Sequence, residues 1–228
     1  MASQEDAAET YKIVVLGNGT SGKTSVIRRY CQDGFGNAYN QTIGLDFFMK
    51  RLNLPGDKYV TLQIWDIGGQ AIGGKMIRNY LENAKGVILV YDITNRDSFE
   101  DLADWYQLVV DTCSDSGMPH VGLMANKMDL AHMRAVPAER HDDFAARHQM
   151  LSFSVCAKDG SNVDLSFRQL VAKITRISIS PAEMEAFRTK RMTAGIVNHP
   201  KAPSDPSTVP KPSAATQGKP RSTLCHVM

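Results

Sequence analysis

A run of eight residues, GNGTSGKT at positions 17–24, follows directly on the apolar segment 12–16. Two glycines five residues apart, followed by Lys and a hydroxyl residue, have the spacing of a phosphate-binding loop between a strand and a helix. Glycine lets the backbone wrap around a triphosphate with its N–H groups pointing inward, and a helix beginning near Gly22 attracts anions at its N-terminus. We therefore predict that Lys23 lies along the β- and γ-phosphates and that Thr24 binds Mg²⁺. The predicted nucleotide-binding residues of this loop are Gly17, Gly19, Thr20, Ser21, Gly22, Lys23, Thr24 and Ser25.

The tetrapeptide Asn126-Lys127-Met128-Asp129 follows the apolar run 120–125. This order predicts a loop at the C-terminal end of a strand, where open α/β sheets bind ligands. The carboxylate of Asp129 can accept two N–H bonds from guanine, whereas adenine would leave a buried Asp129 without those partners. We expect the stem of Lys127 to pack along the base and Asn126 to tie this loop to the phosphate-binding loop.

A further base-binding segment is predicted at Cys156-Ala157-Lys158, directly after the strand pattern 151–155. The backbone N–H of Ala157 can donate to O6 of guanine, and the amino group of adenine would repel the same N–H. Ala157 and Lys158 are therefore assigned to the base, and a guanine nucleotide, GTP or GDP, is the predicted ligand.

The sequence Trp65-Asp66-Ile67-Gly68-Gly69-Gln70 ends the alternating strand pattern 59–64. Asp66 is placed to hold Mg²⁺ through a water, Gly69 to bring its N–H to a γ-phosphate, and Gln70 to orient an attacking water. Upstream, Thr42 offers a second hydroxyl to Mg²⁺ and a backbone N–H to the γ-phosphate. The predicted catalytic residues are Gln70, Lys23 and Thr42, and Mg²⁺ is the only metal predicted.

In order and spacing these segments resemble the small GTPases of the Ras superfamily over roughly residues 11–178. The segments 43–47, 62–66 and 89–94 resemble the Rab family, and the DIGGQ form at 66–70 looks most like the divergent Rab subgroup numbered twenty-eight. The resemblance implies an α/β P-loop NTPase fold with a mainly parallel six-stranded sheet, one antiparallel edge strand and helices on both faces. Alternating strand and helix patterns and a hairpin signal at 55–58 agree with it.

The resemblance also implies roles for several aromatic residues. Phe35 would stack on the guanine, and Phe47, Trp65 and Tyr80 match the aromatic triad that Rab proteins present to effectors, beside Ile43. Core packing is an equally good interpretation of Trp65, because it lies on an otherwise apolar strand face.

Two departures from the Rab pattern concern the nucleotide site. Ile67 and Gly68 stand where Rab proteins usually have Thr and Ala, and glycines are frequent in the second switch segment, residues 67–78. We predict that this segment is disordered with GDP and becomes ordered only when a γ-phosphate recruits Gly69. Cys156 stands where the family mostly has Ser, and we expect little consequence because the Ala157 backbone carries the base contact.

Composition divides the chain into a flexible N-terminus at 1–10, a GTPase domain at 11–178, a helical extension at 179–192 and a disordered hypervariable tail at 193–228. Six of the ten prolines lie between residues 200 and 220, and such a segment cannot bury enough apolar surface to fold. Beyond residue 178 there are seven basic and three acidic residues, against 19 and 21 before it. The nearly neutral domain gives no reason to expect nucleic-acid binding.

The last four residues, Cys225-His226-Val227-Met228, fit a prenylation box, although His226 is not aliphatic. A single isoprenoid on Cys225 gives marginal membrane binding, to which the basic tail adds. We see no signal peptide and no membrane-spanning run, so the expected location is the cytoplasm and the cytoplasmic face of membranes. The resemblance implies a monomer that meets an exchange factor, a GTPase-activating protein, effectors, a prenyltransferase and a solubilising chaperone.

The sequence therefore predicts a Rab-like switch in vesicle or protein trafficking that hydrolyses GTP slowly without an activating partner. The alternative is a membrane-tethered scaffold that holds one nucleotide because Gln70 is poorly placed. A P-loop nucleotide kinase is a more distant reading, since neither the guanine motif nor the segment 66–70 is expected in one. Hydrolysis that depends on Gln70 separates the first two hypotheses.

Overall fold

The computed structural model describes residues 9–32, 42–56, 58–69 and 75–185. The predicted strand, loop and helix at the start of the domain are present. The elements are, in chain order, β1 Glu9–Leu16, α1 Lys23–Gln32, β2 Leu45–Leu54, β3 Lys58–Ile67, α2 Lys75–Leu81, β4 Gly86–Asp92, α3 Arg96–Glu100, α4 Leu102–Cys113, β5 His120–Asn126, a 3₁₀ helix Met128–Met133, α5 Ala138–Arg147, β6 Leu151–Ser154 and α6 Val163–Thr175.

The six strands form one sheet in the order β2-β3-β1-β4-β5-β6. Five strands are parallel, and β2 runs antiparallel to β3 at the edge of the sheet. The turn between β2 and β3 contains Gly56 at φ +80°, a conformation that glycine adopts without strain. The predicted fold class, including the antiparallel edge strand, is confirmed.

Helices cover both faces of the sheet. On one face α1 and α6 pack together, with the rings of Tyr30 and Phe167 stacked 4.0 Å apart between centroids. On the other face α2, α3, α4 and α5 enclose a second apolar cluster that includes Trp105. The central strand β4 is buried along its whole length, as expected for a parallel strand covered on both faces.

This topology determines where loops can meet. Because β1, β3, β5 and β6 are parallel, the loops that follow them leave the sheet at the same edge. Those loops carry the four motifs that the sequence singles out for a nucleotide.

Several predictions fall outside the described residues. They concern Phe35, Gln70 and Cys225, the tail at 193–228 and most of the N-terminal segment 1–10. Within the predicted extension at 179–192, residues 181–185 are helical. Over the ranges that the structure describes, no helix is both long and apolar enough to cross a membrane.

Candidate nucleotide-binding site

Two glycines of the phosphate-binding loop are required by close approaches. Gly17 has φ +133°, and a Cβ there would lie 2.1 Å from the carbonyl oxygen of Val90. Gly22 has φ +91°, and its Cβ would lie 2.3 Å from Nδ2 of Asn126. A side chain at either position would displace the loop from β4 or β5. Helix α1 begins at Lys23, so the N–H groups of its first turn lie directly after the loop.

Lys23 lies across this loop with its side chain almost fully buried, at 5% exposure. Its Nζ donates to the carbonyl oxygens of Gly17 at 2.7 Å and Asn18 at 2.8 Å. Burial lowers the pKa of Lys23 to about 8, and the nearby charge of Asp66 opposes that shift. An anion held beside Nζ would favour the charged form, so the position suits a phosphate.

Three oxygen-bearing side chains, from the start of α1, the segment before β2 and the end of β3, meet next to the phosphate-binding loop. Oγ1 of Thr24 lies 2.8 Å from Oγ1 of Thr42 and donates to Oδ2 of Asp66. Asp66 is fully buried, and its other oxygen, Oδ1, has no hydrogen-bond partner among the described residues. Burial raises the pKa of Asp66, against the Thr24 hydrogen bond and the Lys23 charge. Hard oxygen donors beside an unsatisfied carboxylate oxygen are the chemistry that Mg²⁺ prefers, so these residues fit the ion.

The two glycines after β3 lie in backbone contacts of different kinds. A Cβ on Gly69 would lie 2.1 Å from the nitrogen of Gly19 in the phosphate-binding loop. A Cβ on Gly68 would lie 2.6 Å from the carbonyl oxygen of Thr42, and the Gly68 N–H donates to Gly44 O at 2.8 Å. The glycine that replaces the usual Ala therefore lets residues 42–44 lie directly on the end of β3. The sequence showed the replacement but not this contact.

Asn126 joins the two halves of the site, as predicted. Its Nδ2 donates to the carbonyl oxygen of Ser21 at 2.9 Å, and its Oδ1 accepts from the N–H of Ala157 at 3.2 Å. The Ala157 N–H, predicted to face guanine O6, thus has a long bond within the protein. Lys127 has φ +68° and forms an ion pair with Asp92, with 2.6 Å between Nζ and Oδ2. This pairing holds the Lys127 stem across the loop.

Asp129 is held by the segment after β6. Its side chain is 24% exposed and lies on a 3₁₀ helix at the surface. Oδ1 of Asp129 accepts from Sγ of Cys156 at 3.3 Å, and Oδ2 lies 3.6 Å from Nζ of Lys158. The carboxylate is therefore oriented from both sides by the segment after β6.

Arg29 is a residue of this site that sequence reasoning missed. It lies on α1, and its guanidinium donates to the carbonyl oxygens of Ala157, at 3.0 Å, and Lys158. These bonds hold the segment after β6 against the helix that follows the phosphate-binding loop. No sequence signal indicates them, because the partners are 128 and 129 residues apart.

Cys156, which stands where the family mostly has Ser, contacts the Asp129 carboxylate that is predicted to bind the base. We therefore expect the exchange of Ser for Cys at this position to have a measurable effect on nucleotide affinity. Burial raises the pKa of the Cys156 thiol, so the S–H stays protonated and donates to Asp129. A hydroxyl is a stronger donor than a thiol. We predict that Cys156→Ser tightens GDP binding about two- to fivefold and that Cys156→Ala weakens it to a similar extent.

Equilibrium competition against labelled GDP measures both variants. Cys113→Ser is the matched control. Cys113 is also buried, but its thiol contacts the carbonyl oxygen of Leu81 at the end of α2 and not the nucleotide site. A Cys156→Ser protein that binds GDP more weakly than the Ala variant would contradict the prediction.

The three aromatic residues of the predicted effector surface are in contact. Ring centroids of Phe47 and Trp65 lie 5.8 Å apart, and those of Trp65 and Tyr80 lie 5.9 Å apart. Ile43 and Phe47 are exposed, at 89% and 44%. Trp65 is half-buried against the core cluster, with Nζ of Lys12 4.0 Å above its ring. Trp65 therefore contacts both the core cluster and the two other aromatic rings.

The fold and these loops define a Ras-like P-loop protein, and comparison with known proteins identifies its family. A family model described as "Ras family" matches residues 12–176. The Ras-related protein Rab-28 of Caenorhabditis elegans is 47% identical over 176 residues, which are 77% of this chain and 71% of that protein. Human Rab-30 is 36% identical over 172 residues (75% and 83%), and bovine Rab-13 is 36% identical over 164 residues (72% and 79%). The chain belongs to the Ras family and is a Rab-type small GTPase that resembles Rab-28.

Proposed function

We propose that this protein is a GTP-binding molecular switch that hydrolyses GTP to GDP and phosphate and acts in membrane trafficking. The observation that carries the proposal is the meeting of Thr24, Thr42 and Asp66, which come from three separate segments of the chain. Their oxygens lie beside the Lys23 ammonium group, which is held by the phosphate-binding loop. A nucleoside triphosphate with its metal ion is the ligand that such an arrangement suits.

Mg²⁺ would be held by the hydroxyls of Thr24 and Thr42 and, through a water, by Asp66. When bound there, it neutralises charge on the β- and γ-phosphates. The chain supplies the remaining stabilisation. Lys23 and the N–H groups of residues 17–25 bind the phosphates, and the Thr42 and Gly69 N–H groups bind the γ-phosphate. Gln70, predicted from the sequence, orients the attacking water.

Guanine recognition is proposed for the residues after β5 and β6. Asp129 accepts hydrogen bonds from two N–H donors on one edge of guanine. Lys127, held by Asp92, covers one face of the ring. Asn126, Ala157 and Lys158 complete this side of the site, with the Ala157 N–H shared between Asn126 and O6. Phe35 is proposed to stack on the opposite face.

The switch itself is proposed to operate through residues 42–44 and 67–69. The Gly68 N–H bond to Gly44 O joins these two segments, so a γ-phosphate that binds one also stabilises the other. Ile43, Phe47, Trp65 and Tyr80 lie beside them and form the proposed effector surface. Hydrolysis releases both segments and lowers effector affinity.

The proposed partners are an exchange factor, a GTPase-activating protein, effectors and a prenyltransferase. Prenylation of Cys225 with a basic tail would give reversible attachment to the cytoplasmic face of membranes. These assignments rest on the sequence pattern and on the Rab family.

The test is single-turnover hydrolysis of radiolabelled GTP. We expect slow hydrolysis in the parent and a reduction of about tenfold or more in Gln70→Leu, because the water loses its positioning group. Gln107→Leu makes the same chemical change at an exposed position of α4, where the side chain bonds only to Asp111 among the described contacts, and is expected to match the parent. Tight GTP binding with equal hydrolysis in parent and Gln70→Leu would favour the tethered scaffold instead.

A further inference from the structure

Asn18, the second residue of the phosphate-binding loop, is held by two side chains from the α4 region. Its Oδ1 accepts from Nε1 of Trp105 at 2.9 Å, and its Nδ2 donates to Oδ2 of Asp101 at 2.5 Å. Both partners lie more than 80 residues away in the chain. Both polar atoms of the Asn18 side chain are thus bound outside the loop.

The polar groups of both partners are directed to Asn18. Trp105 is fully buried, and its N–H is the one polar group of a side chain that otherwise packs in the core. Without Asn18 that donor would be buried without an acceptor. Asp101 occupies the N-cap position of α4, where Asp commonly accepts from the helix N–H groups. Its carboxylate makes no such bond and faces Asn18 instead.

The backbone of Asn18 lies where three parts of the proposed site meet. Its carbonyl oxygen accepts from Nζ of Lys23 at 2.8 Å. Its carbonyl carbon and oxygen are also the atoms that a Cβ on Gly69 would approach, at 2.3 and 2.7 Å. Movement of Asn18 would therefore shift the acceptor of the phosphate-binding lysine and the surface against which Gly69 lies.

We propose that Trp105 and Asp101 are positioning residues for the phosphate site, acting through the side chain of Asn18. They hold the peptide at 18–19 in the conformation that Lys23 and Gly69 use, and so slow the release of bound nucleotide. The inference rests on the proposed guanine-nucleotide site. Loss of the Trp105 hydrogen bond is expected to accelerate GDP release about five- to tenfold.

The experiment follows the release of GDP carrying an N-methylanthraniloyl label from the full chain, with Mg²⁺ and excess unlabelled GDP. Trp105→Phe keeps a large apolar ring and removes the N–H. Val109→Ala, one turn further along α4, truncates the same apolar cluster without touching Asn18 and controls for loss of stability. We expect faster release from Trp105→Phe and parental release from Val109→Ala, even where both lower the Tm.

The double variant, Trp105→Phe with Asn18→Ala, distinguishes positioning through Asn18 from a general loss of stability. If Trp105 acts through Asn18, the double variant releases GDP no faster than the faster single variant. Independent, multiplicative acceleration would overturn the proposal, as would equal release from Trp105→Phe and Val109→Ala. Should Trp105→Phe fail to fold, Asn18→Ala decides alone, and parental release from it overturns the proposal. A parent that retains GDP no better than ADP would instead contradict the proposed function.

Discussion

Asp129→Asn is expected to weaken GDP binding by about 10²–10⁴-fold. Guanine presents two N–H donors toward this position, and hydrogen bonds to a carboxylate each contribute about 1.5–3 kcal/mol. An amide offers one acceptor and one donor, so one guanine N–H would face an N–H group. The Cys156 S–H and the Lys158 ammonium, which now orient the carboxylate, would also lose part of their attraction.

The same substitution is expected to improve binding of xanthosine diphosphate relative to GDP. Xanthine carries an oxygen where guanine carries its amino group, and the Asn amide can donate to that oxygen. Competition titrations with GDP, xanthosine diphosphate and ADP measure the change. Asp115→Asn, at an exposed position after α4, is the control for removing one negative charge. An Asp129→Asn protein with unchanged preference among the three bases would exclude Asp129 from base recognition.

Gly69→Ala is expected to lower single-turnover GTP hydrolysis by about 10²–10³-fold, the range found when one transition-state hydrogen-bond donor is removed. The added Cβ would lie 2.1 Å from Gly19 N and 2.3 Å from Asn18 C, and these are backbone atoms that cannot rotate away. Because Asn18 is held by Trp105 and Asp101, the chain after β3 must move rather than the phosphate-binding loop. The Gly69 N–H would then lie out of reach of the γ-phosphate.

GDP binding should change far less, because GDP has no γ-phosphate for Gly69 to contact. Gly117→Ala is a suitable control, since its φ of +99° makes Ala unfavourable there but no atom lies within 4 Å of the added Cβ. We expect Gly117→Ala to lower the Tm without slowing hydrolysis. Parental hydrolysis in Gly69→Ala would show that the close approach of Gly69 is not needed for the reaction.

Features carried by contiguous residues were predictable from the sequence. The phosphate-binding loop combines its glycines, Lys23 and Thr24 within eight residues, so spacing alone indicates its shape and its position after β1. The hairpin of β2 and β3 follows from a Pro-Gly turn between alternating strands. The bond from Asn126 to Ser21 follows from parallel strands that end at one edge.

Contacts between distant segments were not predictable from one sequence. The sequence around Asn18 gives no sign of its hydrogen bond to Trp105, which forms only in the folded chain. The sequence around Gly68 likewise gives no sign that residues 42–44 lie against it. The contacts of Asp129 with Cys156 and Lys158 likewise form only where the segments after β5 and β6 meet. Such features depend on side-chain geometry across the site rather than on local pattern.

The most direct test of the switch is amide hydrogen exchange of the full chain loaded with GDP or with a non-hydrolysable GTP analogue. We expect slower exchange with the GTP analogue in residues 42–44 and 67–78, because the Thr42 and Gly69 N–H groups then bind the γ-phosphate. Helix α6, on the far side of the sheet from α2, should exchange equally in both states and serves as the internal reference. Equal protection of residues 42–44 and 67–78 in the two nucleotide states would contradict the account.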